Sequence, residues 1–459
     1  MNAPIFRVFA LFVVLFCVLI AFSSNWAVFS AAGLRDNGHN SRVILEEQRI
    51  KRGVIRADNG DVLAGSTPLS GDRYTRRYPT GKLFALAVGY NDVRFGRAGL
   101  ERYYNDALVG NKDELPQIID SLVSKKVVGD DLRTTLDPKA QKAAMDAIEG
   151  RKGAVVALDV KTGAVRVLAG TPSFDPLHPN EGSTFNLATQ GLFPPGSTFK
   201  TVTATAAIDS GRYQPDSRVS GENGKVISGT PLNNFAGEDF GEITLTEALT
   251  HSVNTVWAEV GVKLGRKTMQ EYMDRFGFGS KPPMDYPANQ METSGPRRNG
   301  KILPMSSPRV DVGRTAIGQA LLLTTPLQMA TVAQTIGNGG VRMEPRIVEK
   351  VVDPDGRTVD EPLPERAQRV MSADSAAKIT TMMKSVVREG SGTAAALEGV
   401  EVAGKTGTAE IDINRGINDL WFICFTDDVA VAVVIAGERG QGGTVAAPIA
   451  KTVLQALGQ

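Results

Sequence analysis

Ser197 and Lys200 stand three positions apart in Pro194-Pro195-Gly196-Ser197-Thr198-Phe199-Lys200, a spacing that puts both side chains on one face of a helix. A serine hydroxyl is a weak nucleophile at neutral pH, and a lysine amine in the same desolvated pocket can take its proton. Pro-Pro-Gly is turn chemistry, and the apolar-rich run after it predicts a helix to about Gly211. The serine then falls on the first helical turn, where the macrodipole stabilises negative charge developing nearby. Many solvated helix faces carry Ser-x-x-Lys by chance, so the pair gains meaning only from other residues.

Two further groups supply that context. Ser252-Val253-Asn254 lies in Leu249–Trp257, read as part of a helical stretch opened by Thr244 or Thr246. Lys405-Thr406-Gly407-Thr408 lies in an extended, glycine-punctuated segment. Three short motifs of polar, proton-carrying residues in this order argue against coincidence. The histidines His39, His178 and His251 are scattered. His251, beside Ser252, is a base or a bystander, and the bystander reading is preferred.

The elements around these motifs suggest how they are positioned. Leu132–Leu136 reads as a strand, and Asp137-Pro138 caps a helix through Ile148. Ala154–Asp159 and Ala164–Ala169 flank a Val-Lys-Thr-Gly turn and predict a strand hairpin. A helix-rich middle runs from Ser197 to about Gly390, with one helix opening at Thr325-Pro326 and stopping at Gly337–Gly340. Strands return around Lys405, Trp421 and Val429–Gly437, followed by a helix from Ala447 to Leu457. Strands at both ends with helices between predict an α+β fold, one antiparallel sheet closed from both ends of the chain. Ser280–Arg314, rich in Pro, Gly, Ser and Met without periodicity, reads as a long surface loop.

The chain has 459 residues, enough for two or three domains. Its 51 basic and 50 acidic residues balance, which gives no field to attract nucleic acid. No phosphate-binding glycine loop and no Cys/His cluster at metal spacing occurs, so neither cofactor nor metal is expected. Cys17 and Cys424 fall in segments too different to predict a disulfide. Val8–Phe22 is uncharged and almost wholly apolar, and the run resumes from Trp26 to Leu34. A retained signal-anchor is the preferred reading, with a cleaved signal peptide at Ser30-Ala31-Ala32 and a buried core helix as alternatives. Arg7 alone before the run leaves orientation weakly specified. A single span with the bulk of the chain outside is expected. Between Arg35 and Asp131 lies a polar region of short strands with an Asn59-Gly60 hairpin turn and no catalytic set.

Taken together, these residues resemble the class B penicillin-binding proteins, membrane-anchored D,D-transpeptidases of peptidoglycan synthesis. Val253 stands where related β-lactamases carry Asp. The resemblance extends to Arg52-Gly53, Gly99-Leu100-Glu101, Ser173-Phe174-Asp175-Pro176, Gly318-Gln319 and Thr325-Pro326-Leu327-Gln328. The short arm and the length look most like the actinobacterial cell-division members. The resemblance implies the serine β-lactamase/penicillin-binding transpeptidase fold with a small β-rich N-terminal pedestal and one transmembrane helix. The division it suggests is 1–34 cytoplasmic stub and anchor, 35–130 pedestal of dimerisation type, and 131–459 transpeptidase domain.

It also implies roles. Ser197 attacks the penultimate D-Ala carbonyl of a donor stem peptide, with Lys200 as base. Ser252 relays protons toward the leaving amine, and Asn254 holds substrate backbone and Lys200. Lys405 stays cationic and supplies positive potential, Thr406 and Thr408 hold the terminal carboxylate, and Gly407 lies between them. The N–H groups of Ser197 and Thr408 form the oxyanion hole. Implied partners are stem peptides of lipid II-derived glycan strands, β-lactam antibiotics, division proteins and a polytopic glycosyltransferase docking on the pedestal. Arg52 is the expected docking residue there, with Glu101 as a candidate mate in a bidentate pair. Rival readings are a β-lactamase, a D,D-carboxypeptidase and a non-catalytic divisome scaffold. The β-lactamase is disfavoured because no Glu-x-x-Leu-Asn pattern lies between Asn254 and Lys405.

Overall fold

The computed structural model describes residues 3–26, 45, 47–110 and 127–459. His39, the Ser30-Ala31-Ala32 cleavage site and the division between residues 34 and 35 lie outside the described residues. Helix α1 (Ala3–Ser24) carries no charge except Arg7. Its window Pro4–Ser24 has a mean hydropathy of 2.9 and none of it is buried. At 1.5 Å per residue it reaches about 30 Å, the thickness of a bilayer's hydrocarbon core. A helix apolar on every side and packed against nothing suits lipid, not a protein core.

The strands, in chain order, are β1 (Ile55–Arg56), β2 (Val62–Leu69), β3 (Arg73–Arg77), β4 (Asp131–Thr134), β5 (Gly153–Asp159), β6 (Val165–Thr171), β7 (Val348–Val352), β8 (Thr358–Asp360), β9 (Ala403–Asp412), β10 (Ile417–Phe425) and β11 (Val429–Glu438). Shorter strand pairs occur elsewhere. Two sheets organise them. The first runs β8-β7-β4-β1-β2-β3, with Asn59-Gly60 turning β1 antiparallel onto β2 as its sequence predicts. It joins the N-terminal arm to the later chain, since β4 pairs parallel with β1 and antiparallel with β7.

The second sheet, β9-β10-β11-β5-β6, is antiparallel throughout and closes from both ends of the chain. β5 and β11 are apolar on both faces, and alternate residues enter different cores. Val155 and Ala157, with Val431 and Val433, pack among Ala140, Ala144, Ala446 and Val453 of helices α2 (Pro138–Ala147) and α8 (Gly442–Ala456). Val156 and Leu158, with Ala432 and Val434, face the larger core. That core holds α3 (Lys200–Asp209), α4 (Leu245–Thr250), α5 (Asn254–Arg275), α6 (Pro326–Gly337) and α7 (Ala373–Arg388). The period of two explains why continuous Val/Ala runs here are strands buried on both sides.

Three expectations need correction. Ser280–Arg314 is no surface loop: Met284, Tyr286, Met291, Met305 and Val310 are buried, and short strands form at Gly295–Arg298 and Lys301–Ile302. Asp285 accepts the backbone N–H groups of Ile347 and Val348 at 2.7 and 2.8 Å. These residues join the larger core at irregular spacing, so no period appears in the sequence. The last helix opens at Gly442, ahead of the expected Ala447. Arg52, expected on a docking surface, is buried. Its Nε donates to Glu101 Oε2 and its Nη2 to the Glu101 carbonyl, both at 2.6 Å. Arg76 Nε donates to the other carboxylate oxygen at 2.6 Å. Two guanidiniums thus neutralise one wholly buried carboxylate. The expected mate is correct, and the pairing holds the arm together.

Candidate active site

Ser197 lies in a 3-10 turn, Gly196–Phe199, that runs directly into α3. The turn is pinned from three sides. Trp421 Nε1 donates to Pro194 O at 3.0 Å, Thr198 Oγ1 to Pro195 O at 2.7 Å, and Gly196 N to Gly318 O at 2.9 Å. Gly318 cannot be replaced without moving the turn, because a Cβ there would lie 1.9 Å from Gly196 O. Ser197 is half-buried, whereas Lys200, in the first turn of the wholly buried α3, is 0% exposed.

Ser252 does not lie inside a helix, as its sequence suggested. A capping box of Thr244 and Glu247 opens α4, which ends at Thr250, and α5 begins at Asn254. Ser252 sits at the junction with φ +58°, a left-handed conformation that costs a non-glycine residue roughly 1 kcal/mol or more. The turn aims both its oxygens at one lysine: Lys200 Nζ lies 2.6 Å from Ser252 O and 3.1 Å from Ser252 Oγ. Lys200 Nζ also donates to Asn254 Oδ1 at 2.7 Å. Asn254 is oriented in turn, its Nδ2 donating to Asn233 O at 3.1 Å.

Lys405, in β9, approaches from the other side. Its Nζ is 2.9 Å from Ser252 Oγ and 3.1 Å from Thr406 O. The Ser252 hydroxyl therefore bridges two lysine amines, both wholly buried. Burial, with the charge of Lys405 second, pushes Lys200 well below the usual lysine range. Burial alone pulls Lys405 down to about 7. The expectation that Lys405 stays fully cationic is corrected to this extent, because no carboxylate compensates it as Glu101 compensates the arm's arginines. A neutral Lys200 has two N–H donors for its two obligate acceptors, Ser252 O and Asn254 Oδ1, which leaves its lone pair to accept a hydroxyl proton.

Along β9, Gly407 lies opposite Trp421 and Thr408 opposite Leu420. Thr406 Oγ1 is 2.6 Å from Ser391 Oγ, and Thr408 Oγ1 accepts from Gly442 N at 3.2 Å. β9 forms one edge of its sheet, where an extended peptide can add a strand. All eight residues singled out from the sequence thus belong to two neighbouring structures, the Ser197–Lys200 turn with Ser252 and Asn254, and strand β9. His251 is exposed and stacks on Phe240, with ring centroids 5.7 Å apart, in keeping with a bystander. Glu292 pairs with Arg297 at 3.1 Å. Sequence reasoning missed Asn233, Ser391 and Gly442, which carry no motif and reach the site only through tertiary contact. Gly318 was visible only through the resemblance.

A half-buried serine and a buried lysine one helical turn apart, beside an edge strand bearing Lys-Thr-Gly, define a serine acyl-transfer site, and known proteins identify its kind. The penicillin binding protein transpeptidase domain matches residues 153–455, and the penicillin binding protein A dimerisation domain matches residues 52–132. The chain belongs to the penicillin-binding protein transpeptidases, of the class B, actinobacterial type. It is 33% identical to the peptidoglycan D,D-transpeptidase PbpA of Mycolicibacterium smegmatis, over 99% of both chains. It is 32% identical to PbpA of Mycobacterium tuberculosis over the same shares. The ceftriaxone acyl-enzyme complex of M. tuberculosis penicillin-binding protein A superposes with a TM-score of 0.81 at 30% identity, covering 90% of this chain and 100% of that one. Apo penicillin-binding protein 3 of M. tuberculosis gives 0.78 at 27% identity, covering 89% and 96%.

Proposed function

We propose that this chain is a membrane-anchored peptidoglycan D,D-transpeptidase whose acylated nucleophile is Ser197. The observation that carries the reading is the bridge of Ser252 Oγ between Lys200 and Lys405, at 3.1 and 2.9 Å. In the first half-reaction Ser197 Oγ attacks the penultimate D-Ala carbonyl carbon while its proton passes to the Lys200 lone pair. The tetrahedral oxyanion is held by the N–H groups of Ser197 and Thr408, each donor contributing about 3–4 kcal/mol in comparable sites. Collapse breaks the C–N bond, and the proton returns through Ser252 to the departing D-Ala amine. An acceptor amine from a neighbouring stem then attacks the ester, its proton follows the same route in reverse, and Ser197 is restored.

Asn254 fixes the Lys200 amine, and the hydroxyls of Thr406 and Thr408 receive the donor's terminal carboxylate across Gly407. Residues 1–34 act as a retained anchor, 35–130 as a pedestal and 131–459 as the catalytic part, outside the cytoplasmic membrane. A polytopic glycosyltransferase and division proteins are the partners in this reading, and β-lactams are its covalent inhibitors.

The test uses full-length protein in detergent, a thioester stem-peptide analogue and a D-amino acid acceptor, followed by mass spectrometry. The reading expects an acyl group on the peptide containing Ser197 and transfer of that group to the acceptor. Label on a peptide without Ser197, or hydrolysis with no transferred product, overturns it.

A further inference from the structure

We propose that Ser391 and the backbone N–H of Gly442 are positioning groups that orient the hydroxyls of Thr406 and Thr408 so that both protons point into the cleft. This deepens the reading above and rests on its assignment of the two threonines to the donor's carboxylate. A hydroxyl has one proton to give and can accept two. Beside a carboxylate only the donating arrangement is attractive, so a hydroxyl that spends its proton elsewhere repels the substrate.

For Thr408 the direction is fixed by chemistry. Gly442 N can only donate, and it lies 3.2 Å from Thr408 Oγ1, which must accept and keeps its own proton. For Thr406 the neighbour is another hydroxyl, Ser391 Oγ at 2.6 Å, with Lys405 Nζ approaching at 3.5 Å. A lysine nitrogen bearing protons biases Thr406 Oγ1 toward accepting, and Ser391 then donates to it. Both threonines are thereby given the same polarity by groups outside the strand.

The backbone is built to bring those donors close. Gly442 and Gly443 open α8, and both lie where a side chain cannot fit. A Cβ on Gly442 would sit 2.1 Å from Trp421 O and 2.3 Å from Gly407 O, and one on Gly443 would sit 2.2 Å from Ser391 O. The helix start is pressed against the back of β9 and against the turn carrying Ser391. The same arrangement brings the positive end of a 15-residue helix up to Thr408. Ser391 itself is exposed at the C-terminal end of α7, so its substitution leaves the core untouched.

The experiment compares two thioester stem-peptide analogues, one ending in a free carboxylate and one in a carboxamide, on full-length protein. The second-order acylation rate is measured for wild type, Ser391→Ala, Ser391→Thr, Thr406→Val and Ser391→Ala/Thr406→Val. Ser391→Ala is expected to cut the preference for the carboxylate substrate about tenfold, the scale of one hydrogen bond to a charged acceptor. The loss should appear in substrate binding and not in the limiting acylation rate. Ser391→Thr should restore the preference, and the double variant should lose no more than Thr406→Val alone. If Thr406→Val removes the preference and Ser391→Ala leaves it, or if Ser391→Ala slows both substrates equally, the orienting role is wrong while the carboxylate site stands. If Thr406→Val leaves the preference intact, the carboxylate assignment fails and this inference fails with it.

Discussion

Two buried charge clusters lie in this chain, one in the arm and one in the cleft, and they are built on opposite principles. In the arm, Glu101 is caught between Arg52 and Arg76, with Tyr78 OH 3.3 Å from the carboxylate. Burial pushes Glu101 toward the neutral acid, but the two guanidiniums and their hydrogen bonds prevail and hold its pKa below the usual range. In the cleft, Lys200 and Lys405 share one hydroxyl, and among the described residues no carboxylate pairs with them. There burial drives both amines toward the neutral form, and for Lys200 the charge of Lys405 adds to it. Opposite charges keep a buried group ionised and inert, whereas burial without a counter-charge releases a proton-accepting lone pair.

The contrast breaks first at the base. Lys200→Ala should lower Ser197 acylation by about a thousandfold, within the usual range for losing a general base, while the protein stays folded. A labelled-penicillin time course checks this. Glu101→Gln should do the reverse, leaving two buried guanidiniums facing a neutral amide. Breaking a buried pair costs about 3–5 kcal/mol, which thermal unfolding should register as a large drop in Tm, with acylation retained at permissive temperature. Loss of acylation in the folded variant would show that the arm and the cleft are not separable.

Lys405→Met sharpens the comparison by its sign. A lysine with a depressed folded pKa destabilises the fold fully below that pKa, here about 7. The penalty fades as pH rises toward the unfolded value of about 10.4. The apolar variant should therefore unfold at a higher Tm than wild type at pH 7. The advantage should shrink steadily toward pH 10, and acylation should be lost at every pH. A destabilised variant at pH 7 would mean that the hydrogen bonds of Lys405 outweigh its desolvation. The smallest effect belongs to a half-exposed pair. Arg166→Ala removes the contact with Asp58 at 2.8 Å and should cost no more than about 1 kcal/mol in thermal unfolding.

Much of the cleft was legible from short-range chemistry. Ser197 and Lys200 are one helical turn apart, and Asp137-Pro138 and Thr325-Pro326 open helices where they should, Asp137 capping Ala140 N at 2.9 Å. Lys405 to Thr408 form a strand, as their extended, glycine-punctuated segment suggests. What escaped depends on contacts between distant segments. The left-handed turn at Ser252 interrupts a run that reads as continuous helix, and its cause is the demand of Lys200 for two oxygens. Ser280–Arg314 looked like a loop because its buried residues join the large core at irregular spacing, with no helical or strand period. Arg52 looked like a surface residue because Arg76, 24 positions on, carries no spacing signal that ties it to Glu101.

The central claim is that burial, with the charge of Lys405 second, keeps Lys200 neutral enough to activate Ser197. The pH dependence of acylation at mapped Ser197 tests it most directly, in wild type and in Lys200→Arg, which cannot lose its proton in the working range. The account predicts that the wild-type rate climbs through one ionisation well below the ordinary lysine value. In Lys200→Arg that limb should vanish, leaving a slow, flat rate. The same limb at an undiminished rate in Lys200→Arg would contradict it.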